Sequence, residues 1–321
     1  MVRSNKLFKS AISLVIFLLL CSAVFAQKKS KKTPPTGKPV MWEQVNISQK
    51  NLFLGPGGNS MQPDLSRITY IKEEKAGFNK KYRIKDGSGR VWVAKLGREA
   101  QSETAAVRFM WALGYKTEIN YLVPSITIPG KGTFKNVRLE ARPENIERLD
   151  EWKWKDNPFI GTNEFQGLKI MMVFLNNWDI VDVQNKMLLV DTKNGKELQY
   201  IISDLGATFG KLGNNNLPLF YRLGRSVNKP SHYIKSSFIK EVEDRKVELA
   251  YKGKNRSTFR NISVGQARWL ANLLLQLSDK QIEDAFRAAN YAPADLKTLK
   301  QAVKNRIAAL DDATNQNIAA K

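Results

Sequence analysis

Five polar residues occur in an order that suits phosphoryl transfer. Lys95 ends a strand-like segment, and Glu103 lies on the helix-like segment that follows it. Asp179 and Asn185 share one short loop, and Asp204 closes a later strand-like segment. Transfer from a magnesium nucleotide is catalysed mainly by positioning and charge neutralisation, so it needs a cation, an acidic partner, a base and oxygen ligands for the metal. This order predicts a cleft that binds ATP and Mg²⁺.

The lysine needs an acidic partner wherever it is buried. Lys95 follows Val93 and Ala94 on its strand, and an unpaired charge among apolar neighbours is costly. Glu103 is the natural partner because it lies on the inward face of the next helix. Glu99 is the alternative acid, closer in the sequence and placed just before the predicted helix start.

The oxygen ligands are the second part of the prediction. Asn185 and Asp204 could hold Mg²⁺ through oxygen, and Asp179 could accept a proton from a substrate hydroxyl. Each residue taken singly also suits an ordinary role, such as a turn aspartate that accepts from nearby backbone N–H groups. Carboxylate-based glycan hydrolysis would need Asp179 and Asp204 about 5 to 10 Å apart and would leave Lys95 and Glu103 without a role.

The first 26 residues have the pattern of a secretory signal peptide. Basic residues precede the apolar run 11–20, and small residues continue to a cleavage site near Gln27. The run is shorter than the roughly 20 residues of a spanning helix, which favours cleavage over an uncleaved anchor. A lipid attached at Cys21 is disfavoured because Leu20 is large, whereas lipoprotein signals usually carry a small residue before the cysteine. Residues 27–40 are basic and almost free of apolar side chains, which predicts a disordered linker. We therefore expect a periplasmic or extracellular protein.

Composition excludes several kinds of site and indicates a kind of partner. Cys21 is the only cysteine and His232 the only histidine, so disulfides, cysteine nucleophiles and cysteine or histidine-rich metal sites are excluded from the mature chain. The formal net charge is +22. A surface this basic favours anionic partners, including peripheral association with an anionic membrane surface. No nucleic-acid motif accompanies the charge, so specific nucleic-acid binding is not expected.

The periodicities predict a two-lobed α+β protein. Strand patterns joined by turns, with one amphipathic helix, fill the first half: 66–74, 82–85, 91–96, a helix from Ser102, 121–128 and 137–140. The second half is mainly helical apart from one strand pair: 163–174, the pair 187–190 and 200–202, helices opening at Ser263 and Ser278, and about 294–310. These patterns predict a strand-rich N-lobe over 41–145 and a mainly helical C-lobe over 146–321, with a cleft between them.

The lysine strand, the helix glutamate, the aspartate–asparagine loop and Asp204-Leu205-Gly206 resemble the protein-kinase-like superfamily. The similarity is greatest to its atypical branches, namely the HipA-like kinases, the phosphatidylinositol kinases and the secretory-pathway kinases of the Golgi casein kinase type, over about residues 66–210. Segments 161–169, 176–179 and 285–289 are also similar to an uncharacterised group of exported bacterial proteins.

The resemblance implies a fold, an activity and residue roles. It implies a small antiparallel N-lobe with one helix and a mainly helical C-lobe. The implied roles are those of a kinase: Lys95 binds phosphates, Glu103 positions it, Asp179 or Asp182 is the base, Asn185 and Asp204 bind the metal, and Gly77 lies in the loop 75–81 over the phosphates. The implied function is phosphorylation of a protein or envelope component with Mg-ATP. The alternative is a catalytically inactive, pseudokinase-like scaffold that binds anionic lipid, polymer or protein partners.

Overall fold

A computed structural model describes residues 36–75, 77, 79–213 and 224–315. The predicted signal peptide and residues 27–35 of the predicted linker lie outside these ranges. Within the described ranges, none of the helices combines the length and the apolar character that crossing a bilayer requires.

The N-terminal half is built on a five-stranded antiparallel sheet in the order β2-β3-β4-β6-β5. Its strands are β2 Thr69–Glu74, β3 Lys81–Lys85, β4 Val91–Lys95, β5 Asn120–Ile128 and β6 Gly132–Ala141. A tight turn joins β3 to β4, where the Asp86 carboxylate accepts hydrogen bonds from the Arg90 backbone N–H and the Trp92 indole, both at 2.9 Å. This turn fixes the register that places Lys95 opposite Lys81 and Arg138.

The first helix, α1, spans Glu99–Ala112 between β4 and β5. It begins three residues before the predicted start at Ser102, so Glu99 is its first residue and lies one turn before Glu103 on the same face. The helix ends before Gly114, whose φ of 95° is in the left-handed region. A side chain there would meet the Glu43 carbonyl oxygen at 2.2 Å, so only glycine fits.

A second sheet of four strands has the order β1-β9-β8-β7. Its strands are β1 Lys38–Val40, β7 Ile146–Arg148, β8 Asn185–Thr192 and β9 Gly195–Ile202. β1 runs parallel to β9, whereas the other pairs are antiparallel. The strand β1 lies in the last residues of the segment that the composition assigns to the linker.

The C-terminal half contains most of the helices. They are α2 Asn163–Phe174, α3 Pro230–Tyr233, α4 Val264–Leu274, α5 Asp279–Ala288 and α6 Pro293–Asn315. The bounds of α2 agree with the predicted helix, and Thr162 caps it by accepting from the Phe165 N–H. Ser263 and Ser278 each form the predicted capping box at the start of α4 and α5.

A three-stranded sheet that was not predicted lies within this half. It comprises β10 Ile239–Glu243, β11 Lys246–Leu249 and β12 Ile262–Ser263, in that order. Short 3₁₀ turns occur at Ile47–Gln49, Asp182–Gln184 and Arg256–Phe259.

Packing between the two halves is apolar and continuous. Phe109 of α1 contacts Phe209 and Phe286, with ring centroids 6.3 and 5.4 Å away. The described residues from Gly37 onward form one compact unit. The predicted α+β class, with an antiparallel sheet and one helix followed by a mainly helical half, is confirmed.

Candidate functional site

A cavity of ≈1300 Å³ opens where the end of β4, the start of α1 and the end of β9 meet. Five of the six predicted site residues line it: Gly77, Lys95, Glu103, Asp179 and Asp204. Residues that are up to 127 positions apart in the chain therefore converge on one space. The sixth predicted residue, Asn185, is not among the lining residues.

Lys95 is the cation at the floor of this cavity. It is only 1% exposed because it ends the buried strand β4. Its Nζ lies 2.9 Å from Oε2 of both Glu99 and Glu103, and 3.2 Å from Oδ1 of Asp204. Burial acts to lower the pKa of Lys95, but the carboxylates of Glu103 and Asp204 outweigh burial and raise it. The ammonium is therefore charged at neutral pH.

Glu103 bridges two cations. Besides Lys95 it accepts from Arg138 Nη1, whose distance to Oε1 is 2.6 Å. Burial raises the pKa of Glu103 to about 7, against the opposing effect of Arg138 and Lys95. Both acids that the sequence offered as partners contact Lys95, since Glu99 and Glu103 are one helical turn apart.

A closed set of alternating charges, here called the ion ring, extends from this pair. Its members are Lys95, Glu103, Arg138, Glu140, Arg142, Glu118, Ser203 and Asp204. Arg138 Nη2 lies 2.5 Å from Glu140 Oε2, and Arg142 contacts Glu140 and, at 3.3 Å, Glu118. Ser203 closes the ring by donating to Glu118 Oε1 at 2.5 Å, directly before Asp204 in the chain. The ring connects β4, α1 and β6 to the residues just before β5 and just after β9.

The pKa values of two glutamates in the ring are shifted in opposite directions. Burial acts to raise the pKa of Glu140, but Arg142 and Arg138 hold it well below its usual range. Burial and the neighbouring Glu140 raise the pKa of Glu118, although Arg142 and Arg148 oppose them. The guanidinium of Arg148 reaches Glu118 from outside the ring at 2.8 Å. Buried carboxylates therefore each have at least one guanidinium, as burial of charge requires.

Asp204 is the ring member that faces the cavity most openly. Its side chain is 31% exposed, and its Oδ1 accepts from the Gly206 N–H at 3.0 Å. Burial acts to raise the pKa of Asp204, but Lys95 and the Gly206 N–H lower it overall. The Asp204 backbone N–H donates to the Gln184 carbonyl at 3.3 Å. Asp204 therefore offers an ionised carboxylate beside the loop of Asp179.

Asp179 is held by residues from two other segments. Its carboxylate accepts from Gln184 Nε2 at 2.9 Å and contacts the Lys254 ammonium. The Lys254 backbone N–H also donates to the Trp178 carbonyl at 3.0 Å. Asn255 Nδ2 donates to the Ile180 carbonyl at 2.8 Å, so the segment after β11 braces the residues on both sides of Asp179.

The structure places Asn185 away from the cavity. Asn185 is fully buried, and its Nδ2 donates to the Trp152 carbonyl at 2.9 Å. Asp182, the alternative base, accepts from the Trp154 N–H at 3.1 Å and is also absent from the lining. Gln184 lines the cavity instead, because consecutive residues at a strand start point to opposite sides. The sequence signal for this amide is its spacing from Asp179, with four residues between the two.

Gly77 also lines the cavity, with Asn79 and Lys81. Its φ of 83° is in the left-handed region, and a Cβ there would lie 3.1 Å from Lys81 Nζ. Residues 76 and 78 on either side lie outside the described ranges.

The charge of the lining suits a phosphate-bearing ligand. Nine lysines and arginines line the cavity against six aspartates and glutamates. Among the described residues, no group of three or more His, Cys, Asp or Glu is arranged to hold a metal ion. Asp204, Gln184 and Asp179 do offer carboxylate and amide oxygens, the donor type that Mg²⁺ uses when substrate phosphates and water complete its shell. This donor set fits a magnesium nucleotide.

The chain is similar to solved structures, whereas the other two comparisons found no match. No family model and no curated protein matches the chain. Among solved structures, the chain is similar to the crystal structure of the Helicobacter pylori proinflammatory kinase CtkA, with 12% sequence identity and a TM-score of 0.49. The match covers 81% of this chain and 99% of that chain. The function is therefore argued from the geometry of the cavity.

Proposed function

We propose that this protein binds Mg-ATP in the cavity and transfers a phosphoryl group to a protein or an envelope component. The observation that carries the proposal is Lys95, a buried and charged ammonium held between Glu103 and Asp204 at the floor of a cavity with more cations than anions. A buried lysine with this many acids is costly to maintain for stability alone. An anionic ligand in the cavity gives the arrangement a use.

Each residue has a role that follows from its contacts. Lys95, positioned by Glu103, would bind the phosphates. Gly77 has no side chain and would leave room for them. Asp204 and Gln184 would hold the metal through oxygen, with Gln184 in the position that the sequence assigned to Asn185. When bound, Mg²⁺ neutralises the charge of the phosphates.

Asp179 would take the proton of the acceptor hydroxyl. Its carboxylate is 20% exposed and lines the cavity, so it is open to a substrate while Gln184 and Lys254 fix its orientation.

Nucleotide binding is tested by thermal unfolding of the mature protein. At about 100 times its dissociation constant, Mg-ATP should stabilise the protein by about 2.7 kcal/mol, a shift of about 5 °C or more. Lys95→Met and Asp204→Asn should lose the shift, whereas Lys116→Met, which removes a lysine paired at 2.8 Å with Glu43 outside the cavity, should keep it. A wild-type protein without any shift would refute the proposal.

A second function has its own supporting observation. Three carboxylates contact Lys95, and Lys254 contacts Asp179, so both key side chains are engaged by the protein itself. This arrangement also suits an inactive scaffold for anionic lipid, polymer or protein partners. Incubation with labelled ATP and an envelope extract separates the two: a kinase labels an acceptor and Asp179→Asn does not, although that variant keeps the nucleotide shift. Binding without transfer by the wild type would favour the scaffold.

We propose that the protein works outside the cytoplasm after cleavage near Gln27. The support is the signal-peptide pattern of the first 26 residues. Cell fractionation and N-terminal sequencing of the mature protein test this, and a cytoplasmic protein that retains Met1 would contradict it.

A further inference from the structure

A second concave surface adjoins the main cavity beside Asp179. It has a volume of ≈400 Å³, and its lining combines basic and hydroxyl side chains with a few apolar or small residues: Lys211, Leu212, Gly213, His232, Lys235, Ser236, Ser237, Ala250 and Lys252. The lining contains three lysines and no acid. His232 lines both this surface and the main cavity. We call the second surface, together with Lys229 at the shared rim, the basic trough.

The lysines of the basic trough are not neutralised by the protein. Lys211, Lys229, Lys235 and Lys252 are all exposed. None of the four forms an ion pair with an acid in the described ranges. At the other end of the main cavity, by contrast, Arg138, Arg142 and Arg148 each contact a glutamate. The lysines of the basic trough, unlike these arginines, therefore present their charge to solvent.

The positive charges of three of these lysines act on His232. Burial and the charges of Lys229, Lys211 and Lys235 lower the pKa of His232. Its Nδ1 lies 2.9 Å from Ser226 Oγ, which also accepts from the Lys211 backbone N–H at 2.9 Å. The junction between the two cavities is thus a neutral imidazole surrounded by ammonium groups, a place where an anion would be favoured.

We propose that the basic trough binds an extended acidic peptide segment, whose carboxylates face Lys211, Lys235 and Lys252. The charges lie on a concave wall, which fits a single chain better than a flat bilayer. Lysine without arginine supplies point charges suited to separate carboxylates, whereas phosphate recognition favours the arginine fork. Ser236 and Ser237 add hydroxyls that can bond to a peptide backbone.

The position of the basic trough also gives it a use in the proposed reaction. If the phosphoryl transfer proposed above takes place, a peptide in the basic trough would run past His232 toward Asp179 and deliver its hydroxyl there. This clause alone rests on the proposed function. Binding of the peptide requires no nucleotide, so the two proposals can fail separately.

The test is fluorescence anisotropy with a short labelled peptide rich in Asp and Glu, measured without nucleotide. The double variant Lys235→Gln/Lys252→Gln should bind about three- to tenfold more weakly than wild type. The matched control Lys135→Gln/Lys297→Gln has the same net charge and changes exposed lysines of β6 and α6 that line neither cavity. It should bind within about twofold of wild type, and the affinity of both should fall as salt screens the charges.

Four results would overturn the proposal. The first three are no binding by the wild type, equal weakening in both double variants, and equal binding of a peptide with Gln and Asn in place of the acids. In the fourth, Lys235→Gln/Lys252→Gln binds the acidic peptide as wild type does but loses binding to vesicles of anionic lipid or to polyphosphate. The last result would assign the basic trough to a membrane or a phosphate polymer. The thermal shift with Mg-ATP should persist in Lys235→Gln/Lys252→Gln, and its presence or absence reports on the nucleotide site alone.

Discussion

Lys95→Met removes the one ammonium that three carboxylates contact. The side chain is 2% exposed, so methionine fills nearly the same buried space without charge. Glu103 then keeps a single charged partner, Arg138, at 2.6 Å. Asp204 and Glu99 lose their contact too, but both are partly exposed and can regain water. The variant therefore isolates the effect of the lysine on one fully buried acid.

The size of the effect follows from the burial of each acid. Breaking a buried pair by removing one partner costs about 3–5 kcal/mol, and Glu103 is 1% exposed. Because Arg138 remains, the lower end applies, about 3 kcal/mol. Asp204 and Glu99, at 31% and 22% exposed, each add at most about 1 kcal/mol. We expect a loss of about 3–5 kcal/mol near neutral pH.

The loss should depend on pH, with a sign fixed by Glu103. Burial already raises its folded pKa to about 7, above the unfolded value of 4.5. Without Lys95 the folded pKa rises further, so the folded variant holds a proton that the unfolded chain releases above pH 4.5. Wild type and variant both lose stability between pH 4.5 and about 7, so the variant falls relative to wild type only above about pH 7, by up to about 1.4 kcal/mol per pH unit.

Urea unfolding followed by tryptophan fluorescence, at about pH 5 and about pH 8, measures this difference. The destabilisation should be clearly larger at the higher pH. Lys116→Met is the control, because Lys116 contacts Glu43 and Glu197 at 2.8 and 3.6 Å at the surface. It should cost less than about 1 kcal/mol at both pH values. An equal cost of Lys95→Met at the two pH values would refute the assignment of Glu103 as the acid that Lys95 keeps ionised.

Three further predictions concern other parts of the structure. Arg306→Met should cost about 3 kcal/mol in urea unfolding, with little rescue by Arg306→Lys, because the buried guanidinium donates to four backbone carbonyls and one side-chain amide; a cost below about 1 kcal/mol contradicts this. Ser278→Ala should cost about 1 kcal/mol by removing the cap of α5, and an unchanged unfolding midpoint would exclude that role. The lowered pKa of Asp204 stabilises the folded state above pH 3.8, and this stabilisation is lost as pH falls through the folded pKa, so Asp204 makes the wild type acid-sensitive. Asp204→Asn should lose less stability than wild type in that pH range, and identical acid titrations of the two proteins would refute this.

Much of the secondary structure follows from local signals. The helix α2 was bounded correctly because the threonine cap and the apolar spacing agree, and the capping boxes of α4 and α5 locate their starts. The sheet β10–β12 was missed because its strands are short and largely charged, so tertiary pairing rather than periodicity defines them.

The sequence predicted the residue types of the candidate site better than the direction in which each side chain points. Lys95, Glu103 and Asp204 follow from chemistry and strand position. The amide proposed to hold the metal was harder to predict, because a shift of one residue at the start of β8 decides whether Gln184 or Asn185 points into the cavity.

The ion ring was overlooked even though part of its pattern is visible in the sequence. Arg138, Glu140 and Arg142 alternate by two along β6, which places like-facing charges of opposite sign side by side. An alternation of this kind on a strand is a usable signal. The connection to Glu118 and Ser203 depends on tertiary pairing and could not be read from spacing.

The ion ring has a consequence for how this protein can diverge. Its buried charges are shared, so substitution of one member weakens the support of a buried neighbour, whereas joint replacement by apolar residues of similar volume can be neutral or favourable. Single changes therefore cost stability that joint changes need not cost. We expect descendants of this chain to change these positions together more often than singly.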